Sequence, residues 1–174
     1  MNNFPRAYAC YNKNSEIRMQ STSGGAFTCI ATYFINQYNA DIYGAAFNQN
    51  LEVMHMCISS VEDLGKLRGS KYPQSEIGDS YIEIKEKLLR GKTVLFVGTP
   101  CQIEALHQFL EHNFESLWTM DFVCHGVASN KIWRDYISNN EHQGRLKNIV
   151  FKYKYRGWKK WYVKKEYVAK TTYI

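Results

Sequence analysis

The chain has 174 residues, 45% hydrophobic and 15% aromatic, with only 3 prolines and 11 glycines, which suits one domain or two small ones and excludes collagen-like, low-complexity and linker-dominated chains. No apolar run approaches the roughly eighteen residues of a membrane span, and the start at Met1-Asn2-Asn3-Phe4-Pro5 lacks the apolar stretch of a secretory leader, so a cytoplasmic protein is expected. The net charge of +6 is uneven: from Arg145 onward ten Lys and Arg face one Glu, a net of +9, while the first 144 residues hold twelve against fifteen, a net of −3.

In chain order, Ser23-Gly24-Gly25 opens a helix whose Phe27, Ile30, Ala31, Phe34 and Ile35 follow the three-to-four spacing of a buried face. Asp41–Phe47 reads as a strand, Asn48-Gln49-Asn50 as a turn, and Leu51–Ile58 as the returning strand of a hairpin. Ser60 and Asp63 have the spacing of a cap for a short helix to Leu67. A second helix over Ile77–Arg90, with Tyr81, Ile84, Leu88 and Leu89 on one side, stops at Gly91. Thr93–Val97 is a short continuous apolar run, as a central parallel strand requires. Pro100 then suits the first turn of a helix with Ile103, Leu106 and Leu110 as its core stripe. A strand over Leu117–Val123 and a helix capped by Ser129 follow, and Ile149–Tyr173 reads as two strands joined near Gly157. The fold class is therefore α/β: a mixed sheet with a parallel strand–helix–strand core, flanking helices and a C-terminal antiparallel strand pair.

Five cysteines at irregular spacing, with no CxxC pair, exclude a zinc ribbon or a self-contained ferredoxin motif. Without an export signal they are expected as thiols, ligands or nucleophiles. Cys101 and Cys124 each follow the C-terminal end of a predicted parallel strand, where open α/β sheets bind ligands. Either they share one crevice or each is a small buried hydrophobe. Ser23-Gly24-Gly25 fits ordinary helix-start chemistry better than a phosphate cradle, and Arg68-Gly69-Ser70-Lys71 fits an anion site or a solvated loop equally. His125 follows Cys124 directly, so on extended chain the two point apart, which disfavours a Cys–His dyad. His55, His107, His112 and His142 show no ligand spacing and read as core or surface residues. The tail interleaves cations with aromatics. Its period-two alternation at Phe151, Tyr153 and Tyr155 favours a strand pair with aromatics inward and lysines solvated over a nucleic-acid stacking surface.

Taken together, Ser23-Gly24-Gly25-Ala26-Phe27, Tyr43-Gly44-Ala45-Ala46-Phe47, Leu67-Arg68-Gly69-Ser70-Lys71-Tyr72, Gly98-Thr99-Pro100-Cys101-Gln102 and Asp121-Phe122-Val123-Cys124-His125-Gly126 resemble the coenzyme F420 hydrogenase/dehydrogenase beta-subunit family over roughly Tyr8 to Trp158. The resemblance implies a single redox domain over 1–174, with 20–92 an N-terminal family region and 93–174 the start of the C-terminal one. It implies an oxidoreductase subunit that passes electrons between a 4Fe–4S cluster, FAD and a hydride carrier such as a deazaflavin, with a partner redox subunit or ferredoxin. It places Ser23, Gly24, Gly25, Arg68, Gly69, Ser70, Lys71, Tyr72 and Thr99 at the flavin, and Cys101 and Cys124 on the cluster. A cubane needs four thiolates, and Cys10, Cys29 and Cys57 match no family motif, so the chain is expected to be a fragment or a shortened member. The alternative is a cofactor-free accessory domain whose basic aromatic C-terminal segment binds an acidic partner.

Overall fold

A computed structural model of the chain describes residues 6–140, 144–168 and 171–173. His142 lies outside the described residues. Thirteen elements follow in order: α1 (Ser15–Gln20), α2 (Ala26–Tyr38), β1 (Asp41–Phe47), β2 (Val53–Ile58), α3 (Leu64–Leu67), α4 (Ser80–Leu89), β3 (Val94–Gly98), α5 (Pro100–Leu110), β4 (Leu117–Asp121), α6 (Asn130–Asn139), β5 (Leu146–Tyr153), β6 (Tyr162–Tyr167) and β7 (Thr171–Tyr173).

A four-stranded sheet runs in the order β2-β1-β3-β4. β1 pairs antiparallel with β2 and parallel with β3, which pairs parallel with β4. Alternation along the strands sends Ile42 and Ala46 of β1 and Leu95 of β3 to one face, against Ala31 and Phe34 of α2 and Leu64 and Leu67 of α3. Tyr43, Val94 and Phe96 face the other way, onto Ile84 and Leu88 of α4 and Leu106 and Leu110 of α5. The central strands β1 and β3 are thus covered on both sides, and their apolar runs follow from that, while the edge strand β4 is largely exposed. A separate antiparallel sheet, β5-β6-β7, meets the hairpin turn through a smaller cluster of Leu51, Leu146 and Tyr167.

Several expectations change in detail. The returning strand begins at Val53 because the Asn48 side chain accepts from the amides of Asn50 and Glu52, an Asx turn that holds residues 48–52 out of the strand. The expected helix before Leu67 shrinks to α3, since the Ser60 hydroxyl donates to the Asp63 carboxylate at 3.4 Å and caps no backbone group. Leu89 is exposed on α4 and leaves its stripe. The C-terminal sheet gains a third strand, β7. α1 is an addition, capped by Asn14, which accepts from the amides of Glu16 and Ile17. Two lysines of the tail, Lys154 and Lys165, are buried, against the expectation that its cations are solvated.

Candidate functional site at the C-terminal edge of the parallel strands

The edge where β1, β3 and β4 end collects most of the expected site residues. β3 closes at Gly98, Thr99 caps α5, and Cys101 lies in the first turn. Gly98 is the register partner of Asp121, the last residue of β4, so Cys101 and Cys124 each leave the same edge three residues later. Both are exposed, which removes the reading of each as a small buried hydrophobe. The Cys101 sulfur lies 3.1 Å from the Thr99 hydroxyl. The segment carrying Cys124 runs on to Ala128, which donates its amide to the Tyr72 carbonyl and accepts from Gln74. The cysteine segment and the Arg68–Tyr72 loop are therefore chain neighbours in space.

That loop forms one wall of a cleft of about 820 Å³, with the Phe47–Asn50 turn and Asn148–Phe151 of β5 forming much of the remainder. A second recess of about 240 Å³ continues past Arg68, Gly69 and Phe151 to Thr22 and Lys152. Arg68, Gly69, Ser70 and Lys71 line the larger cleft, and Tyr72 sets its ring edge-on to Phe151 at 4.9 Å. The loop's cations shape it. Arg68 donates from Nε to Thr28 Oγ1 and from Nη1 to Gln20 Oε1. Lys71 Nζ donates to the carbonyls of Lys66, Arg68 and Gly69, closing the carbonyl end of α3. Burial pushes the Lys71 amine down to about 7.

Ser23, Gly24 and Gly25 line neither cavity, but the preceding Thr22 joins their loop to the cleft. Its hydroxyl accepts from the Ser70 amide at 2.9 Å and meets the Ser70 hydroxyl at 3.0 Å. The glycines themselves have local reasons: a Cβ at Gly24 would lie 2.9 Å from the Cys10 carbonyl, and Gly25 takes φ +80° at the start of α2. Lys154 then locks this region from below, donating to the carbonyls of Arg18, Ser21 and Ser23 with its ammonium 3.3 Å from the centre of the Trp158 ring. Thr99 lines neither cavity and belongs to the cysteine side of the edge. Sequence reasoning missed Phe47, Asn148, Phe151 and Lys154. Asn48–Asn50 had been visible only as a turn, and nothing in the period of β5 marks it as a cleft wall.

Residues 91–173 match the family described as the C terminus of the coenzyme F420 hydrogenase/dehydrogenase beta subunit. That region carries both edge cysteines, Thr99 and the whole C-terminal sheet. Over that stretch, just under half of its length, the chain is similar to the F420 hydrogenase/dehydrogenase beta-subunit family. No curated protein matches the sequence. Among solved structures, the chain is similar to one in a xenon-derivatised F420-reducing [NiFe] hydrogenase complex from Methanosarcina barkeri, at 18% identity and a TM-score of 0.63. The match covers 96% of this chain and 60% of that one, so the chain spans about three fifths of that neighbour, and the likeness is one of fold.

The same edge sets limits on the F420 hydrogenase-like reading. Among the described residues, no three of His, Cys, Asp and Glu come together to hold a metal. A cubane needs four thiolates, and Cys101 and Cys124 together would offer two, so a 4Fe–4S cluster does not fit the described residues by themselves. Among the described residues, no helix is long and apolar enough to cross a membrane.

Proposed function

We propose that the chain is the flavin-binding part of an F420 hydrogenase/dehydrogenase beta-subunit-like oxidoreductase, with FAD in the cleft beside the Arg68–Lys71 loop. The observation that carries this reading is the 820 Å³ cleft beyond the end of β1, between the hairpin turn, the Arg68–Lys71 loop and β5, a concave site of the size and mixed apolar and polar lining that cofactors occupy. Phe47, Met56, Ile149 and Phe151 give it apolar walls for a ring system, and the Gly69–Ser70 turn with Arg68 and Lys66 gives it a polar, cationic end for a pyrophosphate. FAD, when bound, supplies reversible two-electron chemistry that also admits one-electron steps. The protein's part is to bind and orient it: Lys71 and Arg68 fix the loop, Thr22 holds Ser70, and Tyr72 closes the wall against Phe151. A hydride carrier such as a deazaflavin, a partner redox subunit or ferredoxin, and a cytoplasmic setting belong to the same reading. Purification without oxygen, followed by a visible spectrum and FAD addition, tests the proposal. Retained or absorbed flavin with a band at about 450 nm supports it, and a colourless protein indifferent to added FAD removes it.

A second reading has an observation of its own. Tyr155, Trp158 and Trp161 are exposed beside the exposed Arg156, Lys159 and Lys160, a composition that suits docking to an acidic partner. In that reading the domain is cofactor-free and binds through this tip. Binding to an acidic peptide that weakens steeply with salt and persists without flavin favours it over the first.

A further inference from the structure

We infer that His55, Ser75 and Gln102 are positioning residues that clamp the turn presenting Thr99 and Cys101; the inference rests on the reading of that turn as part of the redox site. His55 stands on β2 and is 4% exposed, its ring stacked on Phe96 at 5.1 Å and 15°. Its Nε2 lies 3.2 Å from the Val97 carbonyl, and a carbonyl only accepts, so Nε2 carries the proton. Nδ1 is then an acceptor and takes the Ser75 hydroxyl proton at 3.1 Å. With that proton committed, Ser75 Oγ accepts from Gln102 Nε2 at 2.9 Å. This sets the Gln102 amide so that its Oε1 accepts from the Thr99 amide at 3.0 Å. Every proton along the chain follows from the Val97 carbonyl.

The two ends of the chain land on the backbone on either side of Gly98. β3 therefore cannot shift at its end without breaking a bond to β2, to the loop at Ser75 or to α5. Gly98 itself is enclosed: a Cβ there would lie 2.9 Å from Phe96 Cε1 and 3.1 Å from Gln102 Oε1. Gln102 is tied a third time, its carbonyl accepting from the Tyr81 hydroxyl at 2.6 Å. Burial keeps the imidazole neutral, with its pKa pushed down to about 4, so the donor order holds at neutral pH. A buried polar chain with each member satisfied rigidifies what it touches. What it touches is the cap of α5, one residue before Pro100 and two before Cys101. A group that ligates or reacts needs supporting bonds of this kind to hold its direction.

The test reads Cys101 directly and needs no flavin, so failure of FAD binding leaves it intact. Rates of alkylation of each exposed cysteine are followed at neutral pH by peptide mass spectrometry. An ordered helix start aligns backbone amides toward a thiol in its first turn. Ser75→Ala, and His55→Phe, which keeps the stack on Phe96 without the hydrogen bonds, are therefore expected to slow Cys101 by about threefold or more while Cys10, Cys29 and Cys124 keep their rates. Ser75→Thr and His55→Gln keep a donor and an acceptor at each place and are expected to retain the parent rate. An unchanged or faster Cys101 in Ser75→Ala, or a loss shared by every cysteine, overturns the inference. Nitrogen-15 NMR of the unmodified chain gives an independent reading: His55 is expected with Nε2 protonated and Nδ1 bare at neutral pH, and the opposite tautomer overturns the proposal.

Discussion

Lys154 carries its charge into the interior, where Trp158 lies under the ammonium and three carbonyls around Ser21 receive its protons. Replacing it with Met leaves those carbonyls without their partner, and an unsatisfied buried acceptor costs about 1–3 kcal/mol. Lys154→Met is accordingly expected to lower stability in urea by about 2 kcal/mol and to loosen the loop before α2. Lys159→Met, on the exposed tip, is expected to change little. His55 makes a pH prediction. Its pKa is about 4 folded against about 6.5 unfolded, so between those values the unfolded chain binds more protons and stability falls as the pH drops. The loss approaches about 3 kcal/mol. In urea titrations at pH 7 and at pH 4.5, His55→Gln is expected to lose less than the parent, and an equal loss would remove this assignment.

At the scale of elements, the strands were the most legible. Asp41–Phe47 has in the structure the bounds its sequence implies, because an unbroken apolar run between polar turns leaves few alternatives. Helix α5 was equally clear from Pro100 and its stripe. The tail was half legible. Its alternation gave strands, but alternation assigns lysine to solvent, and only the positions of the Ser21 and Asn140 oxygens explain why Lys154 and Lys165 turn inward. The join of β1 to α4 was also invisible, since it rests on an ion pair between distant residues. Lys87 donates to Asp41 at 2.6 Å, with Ser59 and Lys92 close by. Burial works against ionisation there, yet these partners together hold the Asp41 carboxyl below the usual range. Its contribution is thus present above the ordinary carboxylate pKa and lost as acid protonates it. Lys87→Met strands the buried carboxylate, and a loss of about 3 kcal/mol is expected in thermal melts at neutral pH. Gly98→Ala tests the strand end: the added methyl meets a buried ring and the Gln102 amide, so a loss of about 1–3 kcal/mol is expected.

Across the whole molecule, a mixed sheet whose central strands β1 and β3 are covered on both faces supports a strongly basic second sheet, and the cleft lies where the two meet at the hairpin turn. The sequence placed Cys101, Cys124 and the Arg68–Tyr72 loop in candidate roles. It could not show that Ala128 ties the Cys124 segment to Tyr72, nor that Thr22 joins the glycine loop to Ser70, because both links connect residues separated by 48 positions or more. The cleft's second wall comes from β5, about a hundred residues from Phe47, so neither wall marks it alone. Titration of FAD into the chain is the most direct measurement, run beside Gln49→Trp, a change at a turn residue that lines the cleft and fills it without touching the core. Saturable binding to the parent, weakened tenfold or more in Gln49→Trp, is the expected result. Absence of binding, or equal affinity in the two proteins, would contradict a flavin seated between the Arg68 loop and β5.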